Sequence, residues 1–67
     1  MEVLINNQPV FLEENTSLHT LLLQKELAEK KGIAVAVNNK VVARAAWSVY
    51  PLYPNDKVVI IHATQGG

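Results

Sequence analysis

Few residues in this chain have the type and spacing to do chemistry. The 67 residues include six Asp and Glu, two His and no cysteine. His19 and His62 could act as acid–base groups. They lie far apart in sequence, with no nucleophile or paired carboxylate beside either, so neither reads as catalytic and the pair carries no metal-ligand spacing. His19 is expected in the first turn of a helix, facing water, and His62 at the end of the last strand. Glu13-Glu14 reads as a solvated loop. What remains is the closing Gly66-Gly67. Glycine lacks a Cβ, so this end can thread a narrow channel closed to other residues. The group expected to react is the carboxyl group of Gly67, with Gly66 and Gln65 as the segment that must be threaded.

Composition narrows the classes. The length fits one domain. Such a chain buries only about 60% of its unfolded surface. It has no disulfide or zinc ligand set to staple it, so regular elements must carry the fold. The formal net charge is zero, which argues against nucleic acid as a partner. Lys25, Lys30 and Lys31 form the one basic cluster and read as a solvated helix end. No apolar run approaches the roughly 18 residues of a membrane span. Residues 1–5 lack the basic start and cleavage site of a signal peptide. These features predict a cytoplasmic protein with no membrane association.

The elements that must position the glycine end follow from local pattern. Residues 1–5 read as a strand, Asn6-Asn7 as a tight hairpin turn and residues 8–12 as the returning strand. Pro9 has no N–H to donate, which places that strand at a sheet edge. Ser17 is the N-cap of a helix expected to run to about Lys31, with Gly32 ending it. Leu18, Leu21, Leu22 and Ala28 share one face. Leu23 and Leu27 fall outside that face, so either the last turn is distorted or two leucines are exposed, which leaves self-association open. Ile33 to Val37 is a third strand, Asn38-Asn39 a second hairpin turn and Lys40 to Val42 a fourth strand. Residues 43–47 read as one helical turn packed by Trp47, and residues 49–54 as an irregular crossing. Lys57 to His62 does not alternate, which suggests a central strand covered on both faces.

The order ββαββ, a short helical turn, then β describes an α+β domain of the β-grasp, or ubiquitin-like, class. It predicts a mixed sheet of about five strands with one main helix packed across it. Residues 1–62 are expected to form the domain and 63–67 a flexible tail. If Met1, Val3 and Ile5 face the helix, Leu4 faces the other side. On the last strand either Val59 and Ile61 or Val58 and Ile60 join Leu4, and the first pair is the one expected. One helix cannot cover both faces of a sheet, so an exposed apolar patch is expected there unless residues 49–54 fold over it.

The whole chain resembles the thiamine-biosynthesis sulfur-carrier family, ThiS. The resembling residues are Val3-Leu4-Ile5-Asn6, Leu18-His19-Thr20-Leu21-Leu22, Ala36-Val37-Asn38-Asn39-Lys40-Val41-Val42, Arg44-Ala45-Ala46-Trp47, Asp56-Lys57-Val58 and Gly66-Gly67. The di-glycine is shared by all ubiquitin-like modifiers; the Val-Val-x-Arg-x-x-Trp stretch and the short length point to the thiamine member. Two positions depart from the expected pattern. Thr20 stands where a glutamate would complete a capping box with Ser17, and Lys25 where an apolar helix residue is expected.

The resemblance implies a carrier and cosubstrate, not an enzyme. An E1-like adenylating enzyme would use ATP to convert the Gly67 carboxylate to an acyl-adenylate, and no cofactor would be bound by the carrier itself. Sulfur from a cysteine-derived persulfide, supplied by a sulfur donor system, would displace AMP and leave a thiocarboxylate for thiazole synthase. Partner docking would use Leu4, Val59 and Ile61. Arg44 would meet an acidic patch of the partner or, alternatively, make a structural bond within the fold. The alternatives in function are a molybdopterin synthase small subunit-like carrier, a ubiquitin-like protein modifier, or an interaction module with an inert tail.

Overall fold

The computed structural model describes residues 1–62. Residues 63–67, with Gln65, Gly66 and Gly67 on which the carrier chemistry is expected, lie outside the described residues. Five strands form one sheet: β1 (Glu2–Ile5), β2 (Gln8–Phe11), β3 (Ile33–Val37), β4 (Lys40–Val42) and β5 (Lys57–His62). Helix α1 (Leu18–Gln24) lies between β2 and β3, and a 3-10 helix (Arg44–Val49) between β4 and β5. The strand order is β2-β1-β5-β3-β4. β1 and β5 run parallel, and the other neighbours antiparallel. This is the β-grasp arrangement, with β5 central and Pro9 on an edge strand, as the sequence predicts.

Asparagine makes both hairpin turns. Asn6 and Asn7 have φ of 48° and 69°, and Asn38 and Asn39 have 51° and 71°. Two successive residues at positive φ give the turn whose twist matches the flanking strands. Asn38 also ties its hairpin to the start of β5. Its side chain donates to the Asp56 carboxylate at 3.0 Å and accepts from the Lys57 N–H at 3.0 Å. Asp56, nearly buried, accepts in addition from the Tyr53 N–H at 2.8 Å, so its carboxylate is satisfied from two sides.

The core lies between the sheet and α1. Val3 and Ile5 of β1, Val35 and Val37 of β3, and Val58 and Ile60 of β5 face Leu18, Leu21 and Leu22 of the helix. Trp47 and Leu52 close the same layer from the connection that follows β4. The Trp47 indole donates to the Val42 carbonyl at 3.0 Å, so its one polar atom is paired inside the core. Leu52 is buried, and its N–H bonds the Thr16 carbonyl beside the start of α1. Residues 49–54 therefore pack on the helix layer, and among the described residues nothing covers the other face of the sheet.

The helix is shorter than its sequence predicts. Ser17 caps it as expected, accepting from the Thr20 N–H at 3.1 Å. It ends at Gln24, not near Lys31. Lys25 is the C-cap, and Glu26 takes a left-handed φ of 61°. The Glu26 N–H bonds the Leu23 carbonyl and the Leu27 N–H bonds the Leu22 carbonyl. Those two bonds make a Schellman motif, with Leu22 and Leu27 as its apolar pair. Leu27 turns back onto the core, while Leu23 stays half exposed. Gly32, at φ 79°, serves the turn into β3 instead of the helix end.

Candidate functional site

The face of the sheet turned away from α1 is assembled from strand register. Paired residues on neighbouring strands share a face. Leu4 pairs Pro9, Glu2 pairs Phe11, and Leu4 pairs Lys57. Val59 pairs Ala36, which pairs Val41, and Ile61 pairs Ala34. One face thus carries Pro9, Phe11, Leu4, Val59, Ile61, Ala34, Ala36 and Val41, with Glu2 and Lys57 at one end. Phe11 is 77% exposed, Val41 78% and Ile61 55%. Leu4 and Val59 are half-buried among them.

Leu4, Val59 and Ile61 therefore share one face, as their alternation predicts. The expectation that β5 is covered on both faces is corrected. Its helix-side residues Val58 and Ile60 are buried, whereas Ile61 is open on the other side. An unbroken apolar run reads the same whether a strand is buried twice or carries an uncovered apolar face. Phe11 and Val41 were not foreseen as members. Alternation groups Phe11 with Pro9 on β2 and sets Val41 on the side opposite Val42 on β4, and the register with β1 and β3 puts both on this face.

Arg44 lies off this face. Its guanidinium donates to the Ala28 carbonyl at 2.7 Å and the Lys30 carbonyl at 2.8 Å. It also lies over the Trp47 ring, 4.5 Å from the centroid. These bonds match the structural role that the sequence left open as the alternative to partner contact.

His19 is half-buried in the first turn of α1 and His62 is exposed at the end of β5. Among the described residues, no three His, Asp or Glu side chains stand close enough to hold a metal ion. A cleft of about 370 Å³ lies on the helix side, beyond the short α1, with Ile5, Val10, Leu27 and Ile60 as its apolar lining and His62 and Lys25 also bordering it. No described helix is long and apolar enough to cross a membrane.

Asn6, at the end of β1, makes the other notable contact of β5. Its side-chain amide bonds both backbone polar groups of Ile60, accepting from the N–H at 2.8 Å and donating to the carbonyl at 3.3 Å. The site is thus one strand with three attributes. β5 contributes the centre of an open apolar face, is held by neighbours on both edges, and leads directly into residues 63–67.

The sequence model of the ThiS family matches residues 3–67. The chain belongs to the ThiS family. It is 27% identical to the Sulfur carrier protein ThiS of Escherichia coli (strain K12), over the full length of both chains. Its fold matches the crystal structure of a thiamine biosynthesis protein (ThiS) from Geobacter metallireducens with a TM-score of 0.85, at 23% identity and full coverage of both chains. The solution structure of a thiamine biosynthesis protein from the same organism matches at a TM-score of 0.77 and 23% identity, covering all of this chain and 88% of that one.

Proposed function

We propose that this protein is a sulfur carrier for synthesis of the thiazole moiety of thiamine, and that it is a cosubstrate, not a catalyst. The observation that carries this reading is the match of residues 3–67 to the ThiS family, which runs through Gly66-Gly67. The chemistry resides in the Gly67 carboxyl group. A carboxylate is a poor acceptor because oxide is a prohibitive leaving group. Transfer of AMP from ATP, with release of pyrophosphate, supplies a better one. A persulfide sulfur then displaces AMP to form an acyl disulfide with the donor. A second thiol, supplied by the donor system, cleaves the S–S bond, forming a disulfide with the donor and leaving a thiocarboxylate, ionised at neutral pH and a good nucleophile. With no cysteine in the sequence, the chain has no thiol at which to hold sulfur elsewhere.

The partners under this reading are an ATP-dependent adenylating enzyme, a sulfur donor system and thiazole synthase, in the cytoplasm. The sheet face around Leu4, Val59 and Ile61 is the docking surface. Its support is an apolar area open on three strands and continuous with the strand that leads to the tail. Arg44 is left out of this surface because its guanidinium is engaged with Ala28 and Lys30. Gly66 gives the clearance that the tail needs to reach the ATP site, and Gln65 precedes it in the threaded segment.

Intact mass after incubation with ATP, cysteine, a desulfurase and the adenylating enzyme tests the proposal. The expected result is replacement of one oxygen by sulfur, abolished by trimming Gly67. A bulky residue in place of Gly66 is expected to block adenylation while leaving the fold intact. Sulfur retained after trimming would sink the assignment to Gly67. No exchange, with the enzymes active on a control carrier, would move the reading to a protein modifier or an inert-tailed module.

A further inference from the structure

We infer that Asn6 is a positioning residue for the C-terminal reaction, acting through Ile60 to fix the direction in which β5 delivers the tail. This inference rests on the carrier reading above. The parallel ladder between β1 and β5 is short. Its register pairs are Leu4 with Lys57 and Ile5 with Val58, and its last rung is the Asn6 N–H on the Val58 carbonyl at 2.9 Å. At Asn6 the chain turns away into the hairpin at φ 48°. Were β1 to continue, its backbone would bond the N–H and carbonyl of Ile60. The Asn6 side-chain amide supplies those two groups instead, its oxygen on the Ile60 N–H and its nitrogen on the Ile60 carbonyl.

An amide side chain has the same donor and acceptor as a peptide unit, so this one extends the ladder by a rung after the strand has left. On the other edge β3 stays paired as far as His62. β5 is thus held from both sides through Ile60, two residues before the last described position. Val59 and Ile61 of the docking face flank that rung in sequence. Asn6 therefore couples the docking face to the end of β5, from which residues 63–67 continue in sequence. Loss of the rung leaves the face chemically unchanged but loosens the strand that aims the tail, and small misplacements of a reacting group cost heavily in rate.

The test uses Asn6→Gly, because glycine keeps the positive φ of the turn and removes the amide, while a stability control accounts for the backbone freedom it adds. Three readouts apply to the full chain: amide hydrogen exchange at Ile60, thermal stability, and ATP–pyrophosphate exchange by the adenylating enzyme. The expected result is an Ile60 amide that exchanges at least roughly tenfold faster. The adenylation kcat falls by about tenfold while KM stays within about twofold. Val42→Ala, a core change away from the docking face, serves as a comparably destabilised control and is expected to keep its kcat. Asn6→Asp retains the acceptor but not the donor and is expected to fall between the wild type and Asn6→Gly.

A wild-type kcat in Asn6→Gly would overturn the positioning role. So would an equal fall in Val42→Ala, which would reduce the effect to stability. Unchanged exchange at Ile60 would overturn the rung itself. Failure of the wild-type chain to be adenylated at all would mark the carrier reading as the one in error, and the positioning role would fall with it.

Discussion

The guanidinium of Arg44 lies over the ring of Trp47, 4.5 Å from its centroid, while donating to the carbonyls of Ala28 and Lys30. One side chain thus joins the 3-10 helix to the segment that follows α1. That segment has left its helix early, and Arg44 supplies donors to two of its carbonyls. Trp47 is buried and fixed by its own bond to Val42, so it gives the guanidinium a rigid platform.

Removal of Arg44 should therefore read out as stability. Arg44→Ala deletes two charge-assisted hydrogen bonds and a cation–π contact, partly screened because the side chain is exposed. The expected cost is about 2 kcal/mol, or a fall of roughly 10 °C in Tm. Arg44→Lys keeps the charge but cannot fork to two carbonyls, and should lose about half as much. Thermal unfolding followed by circular dichroism measures both. A change below about 0.5 kcal/mol for Arg44→Ala would show that the guanidinium contributes little to the fold and would return it to the docking question.

The end of α1 gives a stabilising prediction. Glu26 occupies the left-handed C′ position at φ 61°. An L-residue with a Cβ pays about 1–2 kcal/mol there, which glycine avoids, although glycine also loses more freedom on folding. Glu26→Gly is expected to stabilise the protein by about 0.5–1 kcal/mol, measured by urea unfolding with an unchanged m-value. A destabilised variant would contradict the Schellman geometry and favour a helix that continues past Gln24.

These two sites show what the sequence makes legible and what it hides. The hairpins were readable because Asn-Asn is a residue pair that tolerates two positive φ values, and Pro9 could only sit where no ladder bond was needed. Ser17 announced the start of α1 through its own side chain. The end of α1 stayed hidden because glutamate, not glycine, takes the left-handed position, and because Gly32 offered a plausible stop further on. The sign that remained was the five-residue spacing of Leu22 and Leu27. The open sheet face was legible from alternation at Leu4, Val59 and Ile61. Its extent through Phe11 and Val41 needed the register between strands, which no local pattern encodes. The contacts of Asn6 with Ile60 and of Asn38 with Asp56 join residues far apart in sequence, so they emerge only once the sheet is assembled.

The sheet face separates stability from binding. Ile61 and Phe11 are largely exposed, so a charge there costs the fold little: within about 0.5 kcal/mol for Ile61→Asp or Phe11→Asp. The same charge at the centre of an apolar interface must be desolvated without a partner, which costs about 2 kcal/mol or more in binding. The adenylating enzyme should therefore bind Ile61→Asp at least roughly tenfold more weakly than wild type, with Tm nearly unchanged. Phe11→Asp, on the outer strand, should weaken binding less if the interface is centred on β5. Isothermal titration calorimetry with each variant decides it. Equal affinity for wild type and Ile61→Asp would remove this face from the docking surface. A larger loss for Phe11→Asp than for Ile61→Asp would move its centre to the β2 edge. The wild-type complex should also show a negative heat-capacity change, because burial of apolar area is the term that this surface offers to a partner.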